Sequence, residues 1–177
     1  LILSKGHAAQ ALYASLAHRG FFSTELLSLY NTDGGVMSEH PSPKCLPGVE
    51  AATGSLGHGL SIGLGIALAG RLQSRDYKVF VILGDGECNE GTVWEAALLA
   101  SAQNLNSLCV IVDFNRLQGT GPSTEIMNLN PLAEKWSSFG WNTLNVDGHN
   151  IEKLTNAMNS IPANNKKPTA VVADTIK

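Results

Sequence analysis

Charge is scarce in this chain of 177 residues: Asp, Glu, Lys and Arg make up 15% of it, against 44% hydrophobic residues. With 12 basic and 15 acidic side chains the net charge is −3, so no cationic excess argues for nucleic acid or an anionic membrane as partner. Cysteine is also rare. Cys45, Cys88 and Cys109 stand far apart, without CxxC or His-rich zinc spacing. A disulfide framework is thereby excluded, and a reduced, cytoplasmic setting is expected. No apolar run is long enough to span a bilayer, and residues 1–5 lack the basic region and apolar length of a signal peptide. The length supports one domain with a sizeable core, taken here as residues 1–177.

What the chain does have is two short, nearly uninterrupted apolar runs rich in β-branched residues, 79–83 and 108–112, with a helix-like stretch at 92–103 between them. Such runs read as strands buried on both faces of a parallel sheet. The three segments form one βαβ unit whose strand ends open on a shared crevice. Asp85, within Gly84-Asp85-Gly86, stands at the carboxyl end of the first run, and Asn115 at that of the second. A carboxylate and an amide oxygen so placed can share a hard cation such as Mg²⁺. Residues 8–17, 21–30 (with Ser23 or Thr24 as N-cap), 60–73, 131–139 and 151–160 read as helices. Residues 141–146 and 169–173 read as strands, and 31–48 and 116–128 as loops. The alternation predicts an α/β fold with a doubly wound, mostly parallel sheet flanked by helices.

Gly84-Asp85-Gly86 followed by Asn115 resembles, in order and spacing, the metal–diphosphate motif of thiamine diphosphate enzymes. Leu3-Ser4-Lys5-Gly6-His7, Glu39-His40-Pro41, Pro47-Gly48-Val49-Glu50, Thr53-Gly54-Ser55-Leu56-Gly57, Phe139-Gly140-Trp141 and Asp147-Gly148-His149 resemble transketolase blocks, in that family's order. The resemblance spans nearly the whole chain. It implies the thiamine diphosphate-binding fold, thiamine diphosphate with Mg²⁺ (or Ca²⁺ or Mn²⁺), and transfer of a two-carbon ketol unit from a ketose phosphate to an aldose phosphate. Two alternatives stand beside it. One is another thiamine diphosphate activity, of the 2-oxo acid dehydrogenase α subunit or deoxyxylulose phosphate synthase type; the other is a non-catalytic, cofactor-binding role. Dinucleotide binding is disfavoured, because the G-x-G-x-x-G spacing is missing.

The resemblance also implies roles. Asp85, Asn115 and the main-chain carbonyl of Leu117 would hold the metal. Gly84 and Gly86 would serve the diphosphate, Gly86 by letting a main-chain N–H approach a phosphate closely. Gly54, Ser55 and Leu56 would border the cofactor rings, with Leu56 as an apolar wedge. His7 would reach the diphosphate and the substrate end of the cleft, and His40 the substrate hydroxyls. These two are the expected catalytic groups, since a neutral imidazole can donate, accept or pass a proton. His58 stands where many transketolases carry glutamine. Glu90 has two readings: an acidic network joining two active sites of a dimer, or a carboxylate favoured by a helix N-terminus. His18 and His149 are expected as surface groups, and Trp94, Trp136 and Trp141 as core or interface residues. Glu87 and Glu95 receive no role.

The family's pyrimidine-binding domain is not in this sequence. It is expected either from the rest of one longer polypeptide or from a separate C-terminal subunit of the kind found in split bacterial transketolases. Residues 54–59 and Leu117-Gln118-Gly119 resemble the split type. The chain thus reads as a fragment incomplete at both ends, inactive alone and part of an obligate oligomer.

Overall fold

The computed structural model describes residues 1–163 and 165–177. The chain enters through a two-residue strand, β1 (Ile2–Leu3), followed by α1 (Ala9–His18), α2 (His58–Leu72), β2 (Val79–Gly84), α3 (Gly91–Ala102) and β3 (Leu108–Phe114). It continues through a hairpin of β4 (Leu117–Gln118) and β5 (Gly121–Pro122), then α4 (Ser123–Ile126), α5 (Leu132–Ser138), β6 (Asn142–Asp147), α6 (Ile151–Asn159) and β7 (Thr169–Asp174). Five strands form one parallel sheet in the order β1-β2-β3-β7-β6. The doubly wound α/β architecture expected from the sequence is therefore present.

The apolar runs of β2 and β3 are nearly continuous because both faces of the sheet are covered. Alternate residues point to opposite sides. Val79, Val81, Leu83, Val110, Val112, Ala170 and Val172 join the core that includes α2, α3 and Trp136 of α5. Cys109 and Val171 pack on the other face with Ala157 of α6 and Ile161, against half-buried Phe80 and Ile111. A third cluster, Leu3, Ala9, Leu12, Tyr13, Met37, Leu46 and Val49, seats α1 and the 31–48 loop beside β1. Burial pushes both the Cys88 and Cys109 thiols up, Cys109 to about 12, so neither is a nucleophile near neutral pH.

Three elements differ from the sequence reading. Residues 21–30 do not form an α-helix. They make 3₁₀ turns over Thr24–Leu29, opened by Ser23 Oγ accepting from the Glu25 N–H, and no residue there is buried. Without an apolar face against the core, so short a segment has little to hold it helical. The loop expected at 116–128 contains the β4–β5 hairpin and α4. β1 carries no signal in the sequence, because two residues show no periodicity; its partners Val81 and Ile82 define it.

An aromatic cluster links α3 to α5 and β6. Trp94 lies 5.1 Å from both Trp136 and Phe139, and Trp136 lies 5.0 Å from Trp141, between ring centroids. The indole N–H groups of Trp94 and Trp141 donate to the carbonyls of Cys88 and Ala97, at 2.8 and 2.9 Å.

Candidate functional site

The carboxyl ends of β1, β2, β3 and β7 open on one cavity of about 760 Å³, whose walls include Lys5, His7, Leu56, Asp85, Asn115 and Leu117. This is where a parallel α/β sheet places its ligands. It brings together residues from four separated sequence blocks.

Asp85 is 1% exposed. Its Oδ1 accepts from the Gly86 N–H at 2.9 Å and its Oδ2 from Ser123 Oγ at 2.9 Å. The ion pairs found among the described residues, Leu1–Glu50, Lys5–Asp113 and Arg116–Asp174, do not include it. A buried carboxylate with only neutral donors calls for a counter-charge. Asn115 and Leu117 line the same cavity, and the Asn115 Oδ1 accepts from the Leu117 N–H at 2.9 Å, which folds the hairpin back towards Asp85. Carboxylate, amide and main-chain carbonyl make an oxygen-only donor set suited to a hard divalent cation. Among the described residues no group of three or more His, Cys, Asp or Glu could hold a metal by itself. A cation here would need an anionic ligand and water to complete its shell, so the residues fit a metal–diphosphate pair.

Gly86 does not stand as expected. Its N–H is engaged by Asp85, and the space a Cβ would occupy is filled by Gln118, whose Cγ would lie 2.8 Å away. Gln118 Oε1 in turn accepts from Asn89 Nδ2 at 3.2 Å.

Glu87, which sequence reasoning passes over, is 2% exposed. Its Oε1 accepts from Ser4 Oγ and, at 2.8 Å, from the Gly57 N–H, and its Oε2 accepts from the Gly84 N–H at 3.1 Å. Ser4 Oγ also accepts from the Gly59 N–H at 3.1 Å. One carboxylate thus ties the end of β1, the start of α2 and the end of β2. Nothing in the local sequence signals this, since its donors come from distant segments. Lys5 Nζ, on the cavity wall, donates to Asp113 Oδ2 at 2.5 Å, and Thr175 Oγ1 donates to Asp113 Oδ1. Burial alone raises the Asp113 carboxyl, but these bonds and the Lys5 charge hold it below the ordinary carboxylate value.

His7 lines the cavity; His40 lies beside it. Gly6 and Gly54 meet backbone to backbone, a Cβ on Gly6 falling 2.8 Å from the Gly54 nitrogen. At Gly54 (φ +144°) a Cβ would fall 2.9 Å from the His40 ring. Glycine is required at both positions, and the contact joins the 3–7, 39–41 and 53–57 blocks. Desolvation, reinforced by the Lys5 ammonium, lowers the His7 imidazole below 6.5. Gly84 and Glu90 line the cavity with Leu56, whereas Gly54 and Ser55 stand behind it. His58 turns away, its Nδ1–H donating to the Leu56 carbonyl at 3.0 Å. His18 is exposed at the end of α1. His149 is exposed too, yet it lines the cavity, and its Nε2 accepts from the Ile176 N–H at 2.9 Å.

Comparison with known proteins is consistent with this geometry. The family model described as "Transketolase, thiamine diphosphate binding domain" matches residues 1–177. One of the two subunits of an apulose-4-phosphate transketolase from Phocaeicola vulgatus is 40% identical over 176 residues, covering 99% of this chain and 62% of that protein. A 6-deoxy-6-sulfo-D-fructose transketolase subunit of Clostridium sp. (strain MSTE9) is 40% identical over 177 residues, covering 100% of this chain and 64% of that protein. The chain therefore spans less than two thirds of the length of either. The crystal structure of transketolase from Campylobacter jejuni superposes with a TM-score of 0.92 at 30% identity, over 98% of this chain and 28% of that one. With its full length matched by the family model, the chain belongs to the transketolase family and corresponds to its thiamine diphosphate binding domain.

Proposed function

We propose that this chain is the cofactor-binding part of a thiamine diphosphate-dependent transketolase, which moves a two-carbon ketol unit from a ketose phosphate to an aldose phosphate. The observation that carries the reading is the buried Asp85 carboxylate, without a cationic side chain, sharing one cavity with Asn115 and Leu117. Asp85, the Asn115 amide oxygen and the Leu117 carbonyl hold Mg²⁺, or Ca²⁺ or Mn²⁺ in its place. Gly84 and Gly86 flank the diphosphate, while Gly54, Ser55 and Leu56 border the rings. When bound, the cofactor supplies the carbon nucleophile and electron sink needed to break a ketose carbon–carbon bond.

The chain's own residues bind and orient. His7, kept neutral at pH 7 by desolvation and Lys5, can accept or return a proton at the substrate end of the cavity. His40, fixed against Gly54, hydrogen-bonds substrate hydroxyls. Glu90 lies on the cavity wall at the start of α3, where it can join an acidic network between active sites.

The relatives named as subunits support a separate partner that brings the pyrimidine-binding domain, so the working unit is an oligomer. Their names also support sugar-phosphate substrates for this chain. Neither relative's name points to the 2-oxo acid dehydrogenase or deoxyxylulose phosphate synthase alternative. No helix among the described residues is long and apolar enough to cross a membrane, and a cytoplasmic setting belongs to the proposal.

Calorimetry on the full-length protein in its native assembly tests the reading. Thiamine diphosphate should bind only with Mg²⁺, and Asp85→Ala should abolish that uptake. Uptake unchanged in Asp85→Ala would overturn it.

A further inference from the structure

Gln118 lies in the hairpin next to Leu117, and its side chain is fixed from two sides. It packs into the space left open by Gly86, where a Cβ would meet its Cγ at 2.8 Å and its Cδ at 3.1 Å. Its Oε1 accepts from Asn89 Nδ2 at 3.2 Å, at the end of the 3₁₀ turn Gly86–Asn89. Gln118 and Asn89 both line the cavity, and the other arm of each amide, Gln118 Nε2 and Asn89 Oδ1, is buried without a partner among the described residues. The peptide joining Leu117 to Gln118 carries the Leu117 carbonyl. Whatever anchors the Gln118 side chain therefore sets the direction of that oxygen relative to Asp85.

We infer that Gln118 is a positioning residue for the divalent cation. Seated over Gly86 and held by Asn89, it locks the β4–β5 hairpin onto the Asp85 turn and aims the Leu117 carbonyl at the ion. On this account Gly86 is glycine because Gln118 occupies its missing side chain's place, not only because a phosphate approaches its backbone. The inference rests on the cation site proposed above and adds a residue outside its ligand set. Groups that orient metal ligands typically change affinity by about 10- to 100-fold when removed.

The two causes proposed for Gly86 are separable by a double-mutant cycle. Mn²⁺ binding is followed by the paramagnetic resonance of the free ion, with thiamine diphosphate present, on the full-length protein in its native assembly. Gln118→Ala should weaken Mn²⁺ by about tenfold or more. Gly86→Ala should do the same, and the double variant should be no worse than Gln118→Ala alone, because alanine at 118 has no Cγ for the new methyl to strike. Urea unfolding without metal gives a second readout: stability lost in Gly86→Ala should return in the double variant, even if the single variant does not fold. Wild-type Mn²⁺ affinity in Gln118→Ala, or additive losses in the double variant, would overturn the inference. Asp85→Ala keeps the two proposals apart. If it still binds Mn²⁺, the cation site itself is wrong; if it does not and the cycle is additive, only Gln118 is.

Discussion

Asp85 and Glu87 are two positions apart and both buried, yet they are satisfied differently. Glu87 receives donors from Ser4, Gly57 and Gly84, while Asp85 receives only Gly86 and Ser123 and faces the cavity. Removing the Glu87 carboxylate strands three donors in the interior, at about 1–3 kcal/mol for each one left unmade. Glu87→Ala should therefore lower unfolding free energy by about 3 kcal/mol or more in urea titrations. Asp85→Asn should behave the other way. It removes a buried charge without a partner, so metal-free stability should hold or rise, while the stabilisation by Mg²⁺ with thiamine diphosphate should vanish. His7 gives a pH signature. Its folded-state value lies below 6.5, so on acidification the unfolded chain takes up the proton first. The contribution is fully present above 6.5 and is lost as pH falls through the depressed value. Urea midpoints between pH 7.5 and 5 should show this decline in the wild type, and His7→Gln should flatten it. A flat wild-type profile would contradict the assignment.

Between elements, the close approach of Gly6 to Gly54 sets how β1 meets the 53–57 segment. Gly6→Ala would drive a methyl into backbone, which cannot yield as a side chain can. A loss of about 1–3 kcal/mol is expected, measurable by thermal unfolding, with the ring of His40 displaced. This contact was legible only as two glycine-containing blocks far apart in sequence; their meeting is a product of the fold. β2, β3, α3, α6 and β7 could be read directly, because long apolar runs and periodic patterns record burial locally. The 3₁₀ turns at Thr24–Leu29 and the hairpin could not, since the first buries nothing and the second is only two residues on each side. Asp85 and Asn115 showed themselves by standing at strand ends. Glu87, Ser123, Gln118 and the Lys5–Asp113 pair did not, because each is defined by a partner many residues away.

At the scale of the whole molecule, ligand and fold are linked. A ligand that binds only the native state adds about 2.7 kcal/mol at a hundredfold excess over its Kd. Mg²⁺ with thiamine diphosphate should raise the unfolding free energy of the assembly by about that amount at such an excess, and a chelator should remove it. No such shift would argue against the cation site. The share of the sheet's ends devoted to the cavity makes the linkage broad: β1, β2, β3 and β7 each send residues to it. Tightening one strand end should therefore slow exchange at the others. Hydrogen exchange at Gly57 and Gly84, whose amides meet on Glu87, is a suitable monitor.

Trp94 holds the Cys88 carbonyl, at the turn that follows Asp85, while its ring is packed within the aromatic cluster. The protein consequently carries an optical gauge beside the cavity. When loading of the cavity stiffens that turn, the indole's emission should shift, and Trp94→Phe should silence the signal while leaving Trp136 and Trp141 to glow unchanged.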